Sequence, residues 1–228
     1  MPHSLPAAVL WDMDGTLVDT ESYWIEAEHH LVSRDGGTWT HQDAMDVVGS
    51  DLSRTAQLLK ERGGVRGEID EIVEQLVSHV IEIARERGIN WRPGALELLE
   101  QLRSVGVPCA LVTMSYWKFA SWVVSQLPDG SFSALVTGDT VENGKPHPEP
   151  YQRAADLLGV DISRCIAIED SATGLASAEA AGARTIGVKM LVHFDAMPAR
   201  SRFASLTQVG MAEISAIQGG AVIDLLDD

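Results

Sequence analysis

Two aspartates, Asp12 and Asp14, stand two positions apart at the end of a short apolar run, in the sequence WDMDGTLVDTESYW. Like charges this close repel each other, and aspartate is a poor strand former. A pair of carboxylates in this place is therefore unfavourable for structure alone. A string of this kind alone more often forms a turn or a helix cap, so it indicates chemistry only together with groups elsewhere in the chain.

Further groups able to do chemistry follow the later apolar runs. Thr113 ends the second run, Glu169 and Asp170 end the fourth, and Lys145 lies in the loop GKPHPEP before a helix. Reactive groups gather at the carboxyl ends of the strands in an open parallel sheet, so we expect these side chains to meet in one cleft. Several carboxylates there favour a hard divalent cation with oxygen ligands, and Mg²⁺ is the usual one.

Phosphoryl transfer is the reaction that this set of groups favours. The metal would attract a phosphate, and Lys145 would balance the remaining negative charge. The hydroxyl of Thr113 and the N–H groups that follow it, at a strand-to-helix turn, can hold phosphate oxygens. A carboxylate beside them can attack phosphorus and form an acyl-phosphate, which divides the transfer into two easier steps.

The elements that must position these groups follow a β-α-β rhythm. The apolar runs are nearly continuous, as expected of parallel strands that helices cover on both faces. They span residues 7–11, 107–113, 134–138, 164–169 and 183–189. Helical patterns span 93–106, 149–160 and 171–183, and the tail is predicted to add a short strand at 202–206 and a last helix at 211–217. The pattern predicts an α/β fold with a doubly wound, Rossmann-like parallel sheet and right-handed crossovers.

Residues 20–89 interrupt this rhythm. They contain no convincing strand, and the segment 67–88 carries one apolar stripe at helical spacing. The sequence therefore predicts an inserted all-helical domain at 20–89. The α/β core domain would be formed by residues 1–19 and 90–228.

Composition excludes several classes of partner. The 228 residues carry a formal net charge of −16, which argues against binding to a nucleic-acid backbone. No apolar run approaches the length of a membrane span, and the N-terminal residues do not form a signal peptide. The two cysteines, Cys109 and Cys165, lie in apolar stretches, which indicates buried thiols. We expect a cytoplasmic protein, a monomer or weak homodimer, that acts on a small phosphorylated metabolite.

Four motifs together resemble the haloacid dehalogenase-like superfamily. They are DxDGT at 12–16, a threonine at 113, GKP at 144–146 and IEDSATG at 168–174. They occur in the order typical of that superfamily, and the helical insert is similar to the cap domain of its first cap class. The resemblance is to the branch that holds β-phosphoglucomutase and phosphoglycolate phosphatase, and it implies a Mg²⁺-dependent enzyme.

The resemblance also implies a role for each matching residue. Asp12 would be the nucleophile and an Mg²⁺ ligand. Asp14 would bind the metal through its backbone carbonyl, and its side chain would protonate the leaving group and then deprotonate the attacking water. Lys145 would stabilise the aspartyl-phosphate. The other implied contacts are phosphoryl binding by Thr113 and the amides of Met13, Asp14 and Met114, and metal binding by Asp170 with Glu169.

The expected activity is hydrolysis of a small organic phosphomonoester by a phosphatase. A sugar-phosphate mutase is the main alternative, but Trp24 and Leu52 stand where that branch is expected to carry a histidine and an arginine. Arg54, displaced by two positions, could replace the arginine in part. A non-catalytic binding module would require a lost motif residue, and none is lost. Trp24 is interpreted as a packing residue and Ser171 as a helix cap.

Overall fold

The central sheet contains six parallel strands within the residues that the structure describes. The computed structural model describes residues 5–48, 50–189 and 200–226. The strands are β1 (Ala8–Trp11), β2 (Cys109–Val112), β3 (Ala134–Val136), β4 (Cys165–Glu169), β5 (Arg184–Val188) and β6 (Ser201–Phe203). Their order across the sheet is β3-β2-β1-β4-β5-β6. The predicted α/β fold is confirmed, and the tail strand begins one residue before the predicted segment.

Helices cover both faces of this sheet. They are α5 (Ala95–Ser104), α6 (Trp117–Val124), α7 (Glu149–Leu158), α8 (Ala172–Ala181) and α9 (Met211–Gln218). Val9 and Trp11 of β1 belong to the buried cluster on one face, whereas Leu10 belongs to the cluster that contains Tyr151 of α7 and Ala178 of α8. Because successive side chains point to opposite faces, a strand covered on both sides must be apolar throughout. This is the reason for the continuous runs in the sequence.

The segment between β1 and α5 is helical in the part that the structure describes. It forms α1 (Glu21–Arg34), α2 (His41–Met45), α3 (Leu52–Glu61) and α4 (Ile69–Arg87). The stripe on α4 is buried, with Ile72, Leu76 and Val80 fully enclosed between α1 and α3. None of the helices in the described ranges combines the length and hydropathy that a bilayer crossing needs.

Two chain segments connect this helical layer to the sheet, and they run side by side. Val18 pairs with Trp91 in an antiparallel bridge. The N–H of Asp19 donates to the carbonyl of Asn90 at 2.8 Å, and the N–H of Arg92 donates to the carbonyl of Leu17 at 2.9 Å. These paired segments lie near residues 20 and 89, and the domain boundaries at those residues stay predictions.

Candidate active site

Three neighbouring strands end at the same edge of the sheet and bring the predicted residues together. Asp12 follows β1, Thr113 follows β2, and Glu169 is the last residue of β4. The N–H of Asp12 donates to the carbonyl of Ile168 at 3.0 Å, which fixes the first carboxylate beside the end of β4. Parallel register therefore places residues that are far apart in sequence around one point.

Lys145 lies between the ends of these three strands. Its Nζ is 2.7 Å from Asp12 Oδ1, 2.6 Å from Glu169 Oε1 and 2.8 Å from the carbonyl oxygen of Val112. The Lys145 side chain is only 5% exposed. Burial opposes its charge, but the two carboxylates together raise the pKa of the ammonium above its ordinary value. Lys145 is therefore a charged group held in place by two acids.

One ammonium does not balance the acids that surround it. Oxygens of Asp12, Glu169 and Asp170 lie within 4.8 Å of one another. Burial raises the pKa of Asp12 to about 7, the charge of Glu169 acts in the same direction, and Lys145 opposes both. Burial, together with the charges of Asp12 and Glu169, also raises the pKa of Asp170 well above its ordinary value. Full ionisation of the cluster thus needs a further cation.

Asp12 shows where such a cation fits. Its Oδ1 accepts from Lys145, but its Oδ2 is buried and has no hydrogen-bond partner among the described residues. A buried carboxylate oxygen without a partner is rare, because the lost solvation is not replaced. Carboxylate oxygens are the donors that Mg²⁺ prefers. The residues present therefore fit a hard divalent ion at this cluster.

Glu169 is fixed by neighbours on both of its oxygens. Oε1 accepts from Tyr151 Oη at 2.6 Å, and Oε2 accepts from Ser171 Oγ at 3.0 Å. Ser171 also caps α8 by accepting from the N–H of Gly174, so the predicted helix cap is confirmed. A Cβ at Gly174 would collide with the Glu169 carboxylate, which explains the glycine in this motif. Sequence analysis missed Tyr151, because its contribution depends on the packing of α7.

Asp14 has a different environment, in which donors surround its carboxylate. Oδ2 accepts from Ser115 Oγ at 2.7 Å and from Thr113 Oγ1 at 3.3 Å. Oδ1 accepts from Thr20 Oγ1 at 2.5 Å and from Trp24 Nε1 at 3.2 Å. Trp24 packs edge-on against a buried aromatic ring, as its interpretation as a packing residue requires, but it also orients Asp14. Sequence analysis missed that contact and Ser115.

The chain must turn sharply after Asp14, and Gly15 allows it. Gly15 has a φ of +92°, and a Cβ there would collide with the Asp170 carboxylate. Thr16 Oγ1 donates to Asp170 Oδ1 at 3.3 Å. The glycine therefore permits the close approach of the first and fourth motifs.

Met13 and Met114 differ in whether their side chains are accessible from the cleft. The side chain of Met13 is fully buried, so only its backbone can face a ligand. Met114 lines the cleft, and its Sδ accepts from the N–H of Lys145 at 3.3 Å. Within the described part of the chain, the backbone N–H groups of Met13, Asp14 and Met114 make no hydrogen bond. These three N–H groups are therefore not engaged within the described residues, and of the three residues Asp14 and Met114 line the cleft.

Above these residues opens a cleft of about 290 Å³. The helical layer contributes Glu21, Trp24, Ile25 and Glu28 from α1, together with Val47, Val48, Ser50, Leu52 and Thr55. Of the described residues that line the cleft, Lys145 is the one with a basic side chain. Arg54 is exposed and does not belong to the wall.

Comparisons with a family model and with known proteins agree on one family. A family model for haloacid dehalogenase-like hydrolases matches residues 9–188. A CBBY-like protein of Arabidopsis thaliana is 33% identical over 82% of this chain, and the match spans 64% of that relative's length. Hexitol phosphatase A of Escherichia coli is 31% identical, with 78% of this chain and 81% of the relative covered. A structure of a CbbY mutant from Rhodobacter sphaeroides with xylulose-(1,5)-bisphosphate has a TM-score of 0.83 at 24% identity, covers 92% and 99% of the two chains, and shows the shared fold.

The ion pairs of Lys145 predict a large loss of stability in Lys145→Met. Removing the ammonium leaves two carboxylates buried without it, so the free energy of unfolding should fall by about 3–5 kcal/mol. Urea unfolding in EDTA, at a pH above the raised pKa of Asp12, measures this. Lys60→Met is the control, because Lys60 is exposed and its partners in the described residues are a loop carbonyl and a solvated glutamate. Equal stability of the two variants would contradict the account of Lys145.

Proposed function

The chain belongs to the haloacid dehalogenase-like hydrolase family, and from this premise we propose that it is a Mg²⁺-dependent phosphatase. It hydrolyses a small organic phosphomonoester through an aspartyl-phosphate on Asp12. The observation that carries the proposal is the buried Oδ2 of Asp12, which has no hydrogen-bond partner among the described residues although Asp12 lies beside the ion-paired Lys145 in a cluster of three acids. The name of the hexitol phosphatase relative supports a phosphorylated substrate.

Mg²⁺ would be held by the side chains of Asp12 and Asp170, with Glu169 beside them and the backbone carbonyl of Asp14 as a further ligand. Glu169 already accepts hydrogen bonds on both of its carboxylate oxygens. The carboxylates of Asp12 and Asp170 therefore have more capacity left to bind the ion. When bound, the ion supplies positive charge that keeps the carboxylates ionised and offsets negative charge on the phosphoryl group.

Asp12 begins the reaction as a nucleophile. One oxygen of its carboxylate forms a bond to phosphorus, the bond from phosphorus to the leaving oxygen breaks, and a protonated Asp14 gives the leaving oxygen its proton. Water then attacks phosphorus, Asp14 takes the proton back, and the Asp12 carboxylate leaves. Thr113 and the N–H groups of Met13, Asp14 and Met114 hold the phosphoryl oxygens, and Lys145 balances their charge.

The lining of the cleft favours hydrolysis over a mutase reaction. A mutase must rebind a bisphosphate in the reverse orientation, which calls for basic side chains near the second phosphate. Of the described residues that the helical layer contributes to the wall, none is basic, and Arg54 lies outside it. A hydrolase needs only water as the acceptor. Retention of every motif residue argues against a non-catalytic binding module.

The two cysteines bear on the compartment of the protein. Cys109 and Cys165 are both free and buried, which supports a reducing compartment such as the cytoplasm. We propose a monomer or weak homodimer.

Asp12→Asn should abolish turnover. The amide cannot act as the nucleophile, so phosphate release should fall by at least about 10³-fold, while the thermal midpoint stays near that of the natural protein. Asp156→Asn on the exposed face of α7 is the matched control and should keep full activity. Activity of Asp12→Asn above a few per cent of the natural rate would remove Asp12 from this role.

Chelation should stop the reaction. Excess EDTA removes the cation that the acidic cluster needs, so phosphate release should cease and return when Mg²⁺ is added in excess. Calcium chelation with an agent that spares Mg²⁺ serves as the control. Turnover that persists in EDTA would show that the reaction does not depend on a divalent ion.

Assays on a panel of phosphorylated metabolites separate the two activities. We expect free phosphate from several monophosphates, and no isomerisation of β-glucose 1-phosphate with or without a bisphosphate activator. Chromatography of the sugar products, run beside the phosphate assay, measures both. Isomerisation without phosphate release would replace the phosphatase with a mutase.

A further inference from the structure

One face of α1 forms the side of the cleft that meets the organic part of a substrate. Glu21, Trp24, Ile25 and Glu28 are spaced three, four and seven positions apart, so they share a face of the helix, and all four line the cleft. Trp24 contacts Asp14 at the chemical end. Glu28 lies one turn further, about 6 Å along the helix axis.

Glu28 is a buried acid with one oxygen available. Glu28 is 4% exposed, and its Oε2 accepts a hydrogen bond from Trp39 Nε1 at 3.0 Å. In the described ranges, the Glu28 side chain makes no second hydrogen bond and no ion pair. Its Oε1 is not one of the fully buried atoms that lack a partner, so it keeps some accessible surface, and Glu28 lines the cleft. A group bound in the cleft can therefore form a hydrogen bond with Oε1.

The surroundings of Glu28 suit an uncharged partner. Burial raises its pKa to about 7, the Trp39 hydrogen bond opposes that rise, and the charge of Glu21 adds to it. A carboxyl near its pKa offers both an O–H donor and an acceptor, as a hydroxyl group does. A second phosphate or a carboxylate would instead meet like charge, since the ammonium of Lys145 is already paired with two acids.

The remaining walls fit a short hydroxylated chain. Ile25, Val47, Val48 and Leu52 offer apolar contacts, while Ser50 and Thr55 add hydroxyl groups. The rise of about 6 Å between Trp24 and Glu28 along α1 equals the length of about five extended bonds, at about 1.2 Å each. A leaving group of that length would place a hydroxyl beside the carboxyl.

We propose that Glu28, held by Trp39, selects the substrate by hydrogen bonding to a hydroxyl group of an uncharged, polyhydroxylated leaving group, such as a polyol or open-chain sugar. This inference rests on the proposed phosphatase function and adds its substrate class. Trp39 is a positioning residue, because it acts through Glu28.

The test compares sorbitol 6-phosphate with n-hexyl phosphate, which have the same number of carbons and differ in their hydroxyl groups. The natural protein should prefer sorbitol 6-phosphate in kcat/KM. In Glu28→Met the ratio of the two values should fall by about 10-fold, mainly through the KM for sorbitol 6-phosphate, because a bond present in both ground and transition states is lost. Glu28→Gln keeps polar atoms and should recover part of the ratio.

The control is Glu26→Met, the same substitution at a partly exposed position of α1 that is not part of the cleft wall, where Glu26 pairs with Arg87. It should leave the ratio unchanged. If Glu28→Met does not fold by circular dichroism, Trp39→Phe replaces it, since that variant frees the carboxyl and should lower the ratio by a smaller factor. An unchanged ratio in a folded Glu28 or Trp39 variant overturns the inference.

Two further results on the natural protein separate this inference from the function beneath it. Failure to hydrolyse p-nitrophenyl phosphate, sorbitol 6-phosphate and n-hexyl phosphate would overturn the phosphatase itself. Hydrolysis of p-nitrophenyl phosphate, with a preference for 2-phosphoglycolate or a sugar bisphosphate over sorbitol 6-phosphate, would leave the phosphatase in place and overturn the uncharged leaving group.

Discussion

The site depends on one buried ammonium shared by two carboxylates. Lys145 links the end of β1 through Asp12, the end of β4 through Glu169 and the end of β2 through the carbonyl of Val112. Three charges this deep carry a large desolvation cost, which their attraction offsets only when the geometry is good. The arrangement therefore serves position more than stability. It leaves one buried oxygen of Asp12 without a partner among the described residues, which is where the proposed metal ion fits.

The two aspartates of the first motif have opposite environments, and this separates their proposed roles. Asp12 is buried among acids with a free oxygen, whereas four donors surround Asp14. Thr20 and Trp24, two of those donors, belong to the chain as it enters the helical insert. One turn further along the same helix lies Glu28. A single helix thus connects the carboxylate that would move protons to the one that would choose the substrate.

The sequence predicts the sheet and the acidic cluster well, because both depend on local patterns. Continuous apolar runs indicate strands covered on both faces, and three of the four motifs lie at the end of such a run, while GKP lies in a loop. It does not predict the partners that reach the site from elsewhere, such as Tyr151, Ser115 and the bond between Trp39 and Glu28. It also provides no clear start for α6, whose N-cap residue, Tyr116, makes no side-chain capping bond. These features depend on how helices pack, which one sequence does not encode in its spacing.

Trapping the phosphorylated enzyme tests the central claim most directly. The protein is mixed with sorbitol 6-phosphate and Mg²⁺, quenched in acid within the first turnover, and reduced with borohydride, which converts an aspartyl-phosphate to homoserine. Peptide mass spectrometry should find homoserine at position 12, and the same treatment without substrate should leave aspartate there. Hydrolysis of the substrate with no modification at position 12, or with modification of another residue, would contradict Asp12 as the nucleophile.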